Sequence, residues 1–235
     1  MDAAYITCMR TGAAGAVAAA ALSRPEADTL TVLGAGKQAI FQIAAALTTM
    51  PGLRRIFVAD QLDKDNEQAF AAACPDRLRE GFGIHTYGVA IQPAGDLGEA
   101  VGQSGVVVTI THSRAPVIRR EWVRPGTHFS CIGADMEGKE ELDPELFRDA
   151  RVFADDIGQC LRVGELELPV KQGIITRERV AGEIGQVLAG ALPGRTDPEQ
   201  TTIFDATGLA LLDLVTGKRA IEAAARAGTG LTADI

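Results

Sequence analysis

Hydrophobic positions in this chain fall into short continuous runs that alternate with segments of helical spacing. Thr29 to Leu33 is a β-branched, apolar run closed by glycines, which predicts a strand. Ile40, Ile43, Ala44 and Leu47 then recur at three- and four-residue intervals, predicting a helix over 37–49. A second strand is expected at Arg55 to Ala59, then a polar, alanine-rich helix over 63–73. His85 to Val89 reads as a third strand, with a short helix near 95–102. Val106 to Ile110 is apolar without interruption, as a central parallel strand buried on both faces should be. Thr127 to Ile132 and Arg151 to Ala154 read as further strands. Alternation at these lengths implies right-handed crossovers and a doubly wound parallel sheet, the Rossmann class of α/β fold.

The flanks read differently. Residues 12–22 are apolar and alanine-rich but too short to span a bilayer, which predicts a buried helix. After Asp155 the pattern becomes helical with loops over 156–190, followed by a turn at Pro193-Gly194-Arg195. A brief strand at Thr202 to Phe204 and a long apolar helix over 208–227 complete the chain. So little strand cannot make a domain of its own. The expected division is therefore 1–24 and 157–235 as flanking parts of an incomplete second domain, around a Rossmann domain over 25–156.

Composition narrows the function. At 235 residues and 46% hydrophobic, the chain can bury one substantial core, or one domain plus part of a second. Its net charge of −8, with no run of Lys or Arg, argues against nucleic acid or an anionic membrane as partner. Cys8, Cys74, Cys131 and Cys160 lie far apart, and His85, His112 and His128 supply no metal-ligand spacing, so no metal site is expected. Scattered cysteines and the lack of a convincing targeting segment read as a cytoplasmic protein with reduced thiols.

The chemistry-bearing motif is Gly34-Ala35-Gly36-Lys37-Gln38-Ala39, a GxGxxG/A pattern placed after a strand and at the start of a helix. The first glycine permits the tight turn. The second lets backbone approach a pyrophosphate lying on free N–H groups and the positive helix end. Asp60 follows Gly36 by 24 residues at the end of the next strand, where an acid can accept hydrogen bonds from an adenosine ribose and repel a 2′-phosphate. NAD is thus expected rather than NADP; the plainer alternative is that Asp60 caps the following turn. A triphosphate P-loop fails, because Thr31 and Gln38 stand where it needs Gly and Ser or Thr. Ligands in such sheets bind at the carboxyl ends of strands, which here carry Thr109, Thr111 and Ser113 after one strand and Gly133, Ala134 and Asp135 after another. Asp135 is either an acid/base near a nicotinamide or a loop carboxylate in water.

Seven segments in order resemble the ornithine cyclodeaminase and mu-crystallin family. They are ITCMRTGAAGAVAA (6–19), VLGAGKQA (32–39), GADMEGKEELDPELF (133–147), VFADD (152–156), VGELELP (163–169), GEIGQVLAGALPGR (182–195) and FDATGLALLD (204–213). The resemblance implies that Arg10 clamps the substrate carboxylate with its guanidinium fork. It implies that Thr11, Lys37, Gln38, Asp60, Thr109, Thr111 and Ile132 to Asp135 line the dinucleotide, with Lys139 near it. Asp135 would be the catalytic acid/base, as in the cyclodeaminase branch. Ala206 stands where the family often has serine, so one side-chain contact to the cofactor is expected to be missing.

The front of the chain also departs from the family pattern, in which a segment on the order of 100 residues precedes the equivalent of Arg10. That segment would carry most of the substrate-domain sheet and the dimer interface, so a shortened chain, a natural fragment or a misplaced start is expected. Apolar surface within 160–235 would then be exposed. The implied partners are a small amino acid and, with the preceding segment present, a second copy in a homodimer. The implied reaction is NAD-dependent cyclodeamination, L-ornithine to L-proline and ammonia. The alternatives are a net amino-acid dehydrogenase or cyclic-imine reductase, and a non-catalytic dinucleotide-binding protein.

Overall fold

The computed structural model describes residues 2–230, so residue 1 and residues 231–235 of the outer expected segments lie outside the described residues. Its centre is an eight-stranded, wholly parallel sheet. The elements that build it are α1 (Ala3–Leu22), β1 (Thr29–Leu33), α2 (Ala39–Thr49), β2 (Arg55–Ala59), α3 (Lys64–Phe82), β3 (Ala90–Pro93), α4 (Leu97–Gln103) and β4 (Val106–Thr109). There follow β5 (Arg114–Ile118), β6 (His128–Cys131), β7 (Glu140–Leu142), β8 (Arg151–Ala154), α5 (Ile157–Val163), α6 (Glu167–Lys171), β9 (Val180–Glu183), α7 (Ile184–Leu188), β10 (Thr202–Asp205) and α8 (Ala210–Ala227). The strand order is β3-β2-β1-β4-β6-β10-β8-β9, and β5 and β7 form a separate two-stranded sheet.

The predicted α/β class and its doubly wound parallel sheet are what the chain adopts. β1, β4, β6 and β10 are buried along their whole lengths, as strands paired on both sides and covered on both faces must be. The order reverses direction between β1 and β4, and such a switch point opens a crevice at the strands' carboxyl ends.

Three expectations need correction. The third strand is not His85 to Val89 but Ala90–Pro93. Gly88 takes a φ of +79° and turns the chain, and only then does Ala90 come into register with Arg55. As an edge strand it is largely exposed and tolerates Pro93. The helix expected over 63–73 runs on to Phe82, because its stop is Gly83 in the left-handed region at φ +66°. The Rossmann sheet also extends past residue 156. β9 joins its edge, and β10 inserts between β6 and β8 with Ile203 level with both Phe129 and Val152. A four-residue strand cannot announce a pairing that depends wholly on distant partners.

α1 is longer than the predicted 12–22 helix and begins with Asp2, whose carboxylate accepts from the N–H groups of Ala4 and Tyr5. It packs against α2 through glycines: a Cβ on Gly12 would stand 2.6 Å from the Phe41 carbonyl oxygen. The Ser130 hydroxyl donates to the Gly15 carbonyl at 2.9 Å, tying α1 to β6. On α8 no residue is buried, and Leu211, Leu214, Val215 and Ile221 are exposed. This is the apolar surface expected within 160–235.

His128 lies at the centre of the fold, fully buried, with Nδ1 2.9 Å from the Thr202 hydroxyl and Nε2 3.1 Å from the Ser130 hydroxyl. Burial, with the Arg195 guanidinium adding to it, pushes its pKa down from 6.5 to about 3. A depressed pKa contributes stability that is present above pH 6.5 and is lost as pH falls towards 3. The stability advantage of the wild type over His128→Asn is therefore expected to shrink on acidification through this window, by about 1.4 kcal/mol per pH unit. Paired urea titrations at several pH values check this; a constant difference would contradict it. The paired comparison cancels the opposite trend from Asp205, whose carboxyl burial raises to about 7 and which favours folding at low pH.

Candidate functional site

The glycine loop links the end of β1 to α2 at the switch point. Gly34 has φ +115°, and its N–H donates to the Ala59 carbonyl at 2.8 Å. A Cβ there would stand 2.6 Å from the Ile110 carbonyl oxygen, so only glycine lets the turn pass beneath the end of β4. Gly36 is different: a Cβ added there meets nothing within 4 Å. The loop thus leaves open space in front of the N-terminus of α2, where Gln38 provides no side-chain cap. The Gln38 Oε1 atom is buried without a hydrogen-bond partner. Open space and uncapped N–H groups fit an anionic ligand such as a pyrophosphate, and the orphaned acceptor fits a hydrogen-bond donor such as a hydroxyl.

In front of this loop lies a cavity of about 320 Å³ at the ends of β1, β4 and β6. Of the residues singled out from sequence, Arg10, Thr11, Gly36, Lys37, Gln38, Thr111, Ile132, Gly133, Asp135 and Lys139 line it. Four do not. Gly34 lies under the loop it shapes. Thr109 and Ala134, expected along the dinucleotide, are buried (0% and 1% exposed) behind the wall, Thr109 at the covered end of β4 and Ala134 in the loop that follows β6. Asp60, at the end of β2, accepts hydrogen bonds from the Leu62 and Asp63 N–H groups (3.0 and 3.2 Å) and the Asn66 amide (2.7 Å). It does cap its turn. Partial burial pushes its carboxyl up, but these hydrogen bonds outweigh burial and hold it below the usual range. Asn66 also reaches the Ala35 carbonyl at 3.4 Å, connecting Asp60 to the glycine loop.

Two of the cations lining the cavity, Lys139 and Arg10, are paired. Lys139 is only 4% exposed, and its ammonium donates to Asp135 Oδ1 at 2.5 Å and to the Gly133 carbonyl at 3.2 Å. Asp135 is itself about half exposed, so it presents a carboxylate to solvent space while anchored from behind. Arg10 comes up from α1, with Nε 3.3 Å from Asp213 on α8 and its guanidinium against Gly208. The nearby 206–208 turn is held by Asp155, which accepts from the Gly208 N–H at 2.7 Å and the Thr207 hydroxyl at 3.3 Å. Ala206 offers the cavity no polar side-chain atom.

Sequence reasoning missed several of these residues. Asp155 and Asp213 lie within recognised segments but carry no motif signature of their own. Glu141 and Glu165 are buried acids in an otherwise apolar setting. An acid beside Lys139 and Glu140 reads from sequence as part of a solvated charge run, so nothing local marks it. Among the described residues no group of His, Cys, Asp and Glu is disposed to hold a metal ion, and no helix is long and apolar enough to cross a membrane.

The sequence profile of the ornithine cyclodeaminase/mu-crystallin family matches residues 1–228. The alanine dehydrogenase of Archaeoglobus fulgidus is 40% identical over 98% of this chain and 67% of its own length. The structure of the Thermococcus litoralis Δ1-pyrroline-2-carboxylate reductase in complex with NADH and L-proline superposes with a TM-score of 0.88 at 30% identity, covering 97% of this chain and 68% of that one. A lysine cyclodeaminase, solved for its recognition of L-lysine, L-ornithine and L-2,4-diamino butyric acid, gives 0.82 at 31% identity, covering 100% of this chain and 64% of that one. The chain thus spans about two thirds of the length of the relatives it matches, and it belongs to the ornithine cyclodeaminase/mu-crystallin family.

Proposed function

We propose that the cavity binds NAD and catalyses hydride transfer at the α-carbon of a small amino acid or the corresponding imine. The observation that carries this reading is the joining of three parts in one cavity: the open Gly36 loop, the Arg10 guanidinium and the Asp135–Lys139 pair. When bound, the nicotinamide would supply the hydride acceptor or donor. Lys37, Gln38 and the N-terminus of α2 would hold the pyrophosphate. Arg10 would bind the substrate carboxylate, turning from Asp213 or sharing it. Asp135 would move a proton at the substrate nitrogen or at an attacking water, with Lys139 keeping its carboxylate oriented. α1 and α8 would belong to the substrate lobe, whose apolar contacts α8 leaves exposed.

Net oxidoreduction is the leading form of this reading, supported by the likeness to an alanine dehydrogenase and a pyrroline-2-carboxylate reductase. Cyclodeamination is the second, favoured by Asp135 at a position suited to repeated proton transfer and by the likeness to a lysine cyclodeaminase. The two separate on incubation with NAD and L-alanine, L-ornithine or L-lysine, scoring 340 nm absorbance, ammonia and cyclic product together. A sustained rise at 340 nm is expected. Ammonia and a cyclic imino acid without lasting NADH would instead establish the cyclodeaminase. No turnover in any pairing, with no NADH binding, would contradict the proposal.

Asp60 would set cofactor choice, accepting ribose hydroxyls and repelling a 2′-phosphate. Asp60→Ser is expected to reduce the preference for NADH over NADPH by about tenfold or more, a change of roughly 1.4 kcal/mol in relative affinity. Fluorescence titration with both nucleotides measures it, and an unchanged ratio would remove Asp60 from the site.

A further inference from the structure

Beyond Thr109 and Cys131, the last paired residues of β4 and β6, the sheet ladder ends with the Ile132 N–H donating to the Thr109 carbonyl at 2.8 Å. The next N–H groups on the two diverging chains are those of Thr111 and Gly133. Both donate to one side chain. Glu141 Oε1 accepts from Thr111 at 2.6 Å, and Oε2 accepts from Gly133 at 3.1 Å. The carboxylate therefore acts as an extra rung between the two strand ends, and both residues it holds line the cavity.

We infer that Glu141 is a positioning residue of the dinucleotide site, fixing the separation of the β4 and β6 ends on which the nicotinamide half would rest. The inference rests on the NAD reading above. Two further observations carry it. Gly133 has no room for a Cβ, which would run into the Glu141 carboxylate and stand 2.5 Å from the Thr111 carbonyl oxygen. The strand ends are thus drawn together as closely as a glycine allows. Glu141 is in turn held from behind: its own N–H and that of Leu142 both donate to Glu165 Oε1, at 2.8 and 2.6 Å.

The two acids are not equivalent. Glu141 receives one N–H on each oxygen, so it needs two acceptors, which only a carboxylate offers. Glu165 receives both donors on one oxygen, and its other oxygen has no partner. Burial, reinforced by the neighbouring Glu141, pushes Glu165 well above the usual carboxylate range; burial raises Glu141 as well, but the Thr111 and Gly133 N–H groups oppose it, so of the two acids Glu165 is the one that holds a proton. A burial cost of this kind is offset only by good hydrogen-bond geometry. Glutamine is therefore an adequate substitute at 165 but not at 141, where its amide would point N–H at N–H.

The test compares Glu141→Gln with Glu165→Gln in the full chain, using NADH affinity by fluorescence and the amide resonances of Thr111 and Gly133 without nucleotide. Losing a charge-assisted hydrogen bond predicts that Glu141→Gln weakens NADH binding by about 10- to 100-fold and shifts at least one of the two amide protons upfield. Glu165→Gln is expected to stay within about twofold, below the roughly tenfold loss expected at Glu141. Glu141→Asp keeps the charge on a stem one carbon shorter; it serves if the glutamine variant does not fold, and an intermediate affinity is expected. Wild-type NADH affinity in Glu141→Gln or Glu141→Asp, or equal weakening at 141 and 165, would overturn the inference. Unbound NADH in the wild type would overturn the dinucleotide reading and this role with it. The amide shifts would then still report whether the carboxylate joins the strand ends.

Discussion

Gly34→Ala is expected to destabilise the fold by about 3 kcal/mol or more and to abolish NADH binding. The position combines a φ of +115° with a Cβ contact of 2.6 Å to the Ile110 carbonyl oxygen, which is backbone at the end of a central strand and cannot swing aside. Relief requires β1 and β4 to separate at their carboxyl ends, where the cavity opens. For a chain of this size the loss corresponds to a fall in Tm of roughly 6–12 °C, readable by calorimetry. Gly36→Ala isolates the second function of the loop. Its Cβ meets nothing within 4 Å, so Tm should not move. It does fill the space reserved for the pyrophosphate, so NADH affinity should fall. A wild-type Tm in Gly34→Ala would contradict the geometric argument directly.

Asp135→Asn is expected to lower turnover by about 10²- to 10⁴-fold while changing NADH affinity only a few-fold. The carboxylate is half exposed to the cavity, yet anchored at 2.5 Å by a lysine that is itself almost fully buried. Such a pair presents one carboxyl group in a fixed orientation, which proton transfer requires and NADH affinity does not. The same substitution leaves the Lys139 ammonium with the Gly133 carbonyl and, at 3.5 Å, His112 Nδ1, so a moderate loss of stability should accompany it. Steady-state kinetics with separate measurement of NADH affinity checks the division. Unchanged turnover would return Asp135 to the status of a loop carboxylate.

The frame of the fold was legible because its signals are local. Five buried β-branched or apolar residues before a glycine, and an uninterrupted Val-rich run at 106–109, can hardly be anything but inner parallel strands. Ten of the residues singled out from sequence line one cavity: the glycine turn and strand ends are motifs with fixed spacing, while Arg10, Thr11 and Lys139 followed from the family resemblance. What stayed hidden depends on distant partners. β10 belongs between β6 and β8, but nothing in Thr202–Asp205 names its neighbours. Glu141 and Asp155 are charged residues whose partners are backbone N–H groups of other loops, so the sequence around them reads as surface. Thr109 and Ala134 stand apart: close to strand ends in sequence, both are buried away from the cavity. Position near a strand end does not decide whether a residue faces the ligand or the sheet.

The most direct measurement is a fluorescence titration of the wild-type chain with NADH, repeated with NADPH and with Gly36→Ala. Saturable binding is expected with a Kd of roughly 1 μM to 1 mM, at least about tenfold weaker for NADPH and clearly weakened by Gly36→Ala. Absence of saturable binding, or binding that Gly36→Ala leaves untouched, would contradict the placement of NAD at the ends of β1, β4 and β6.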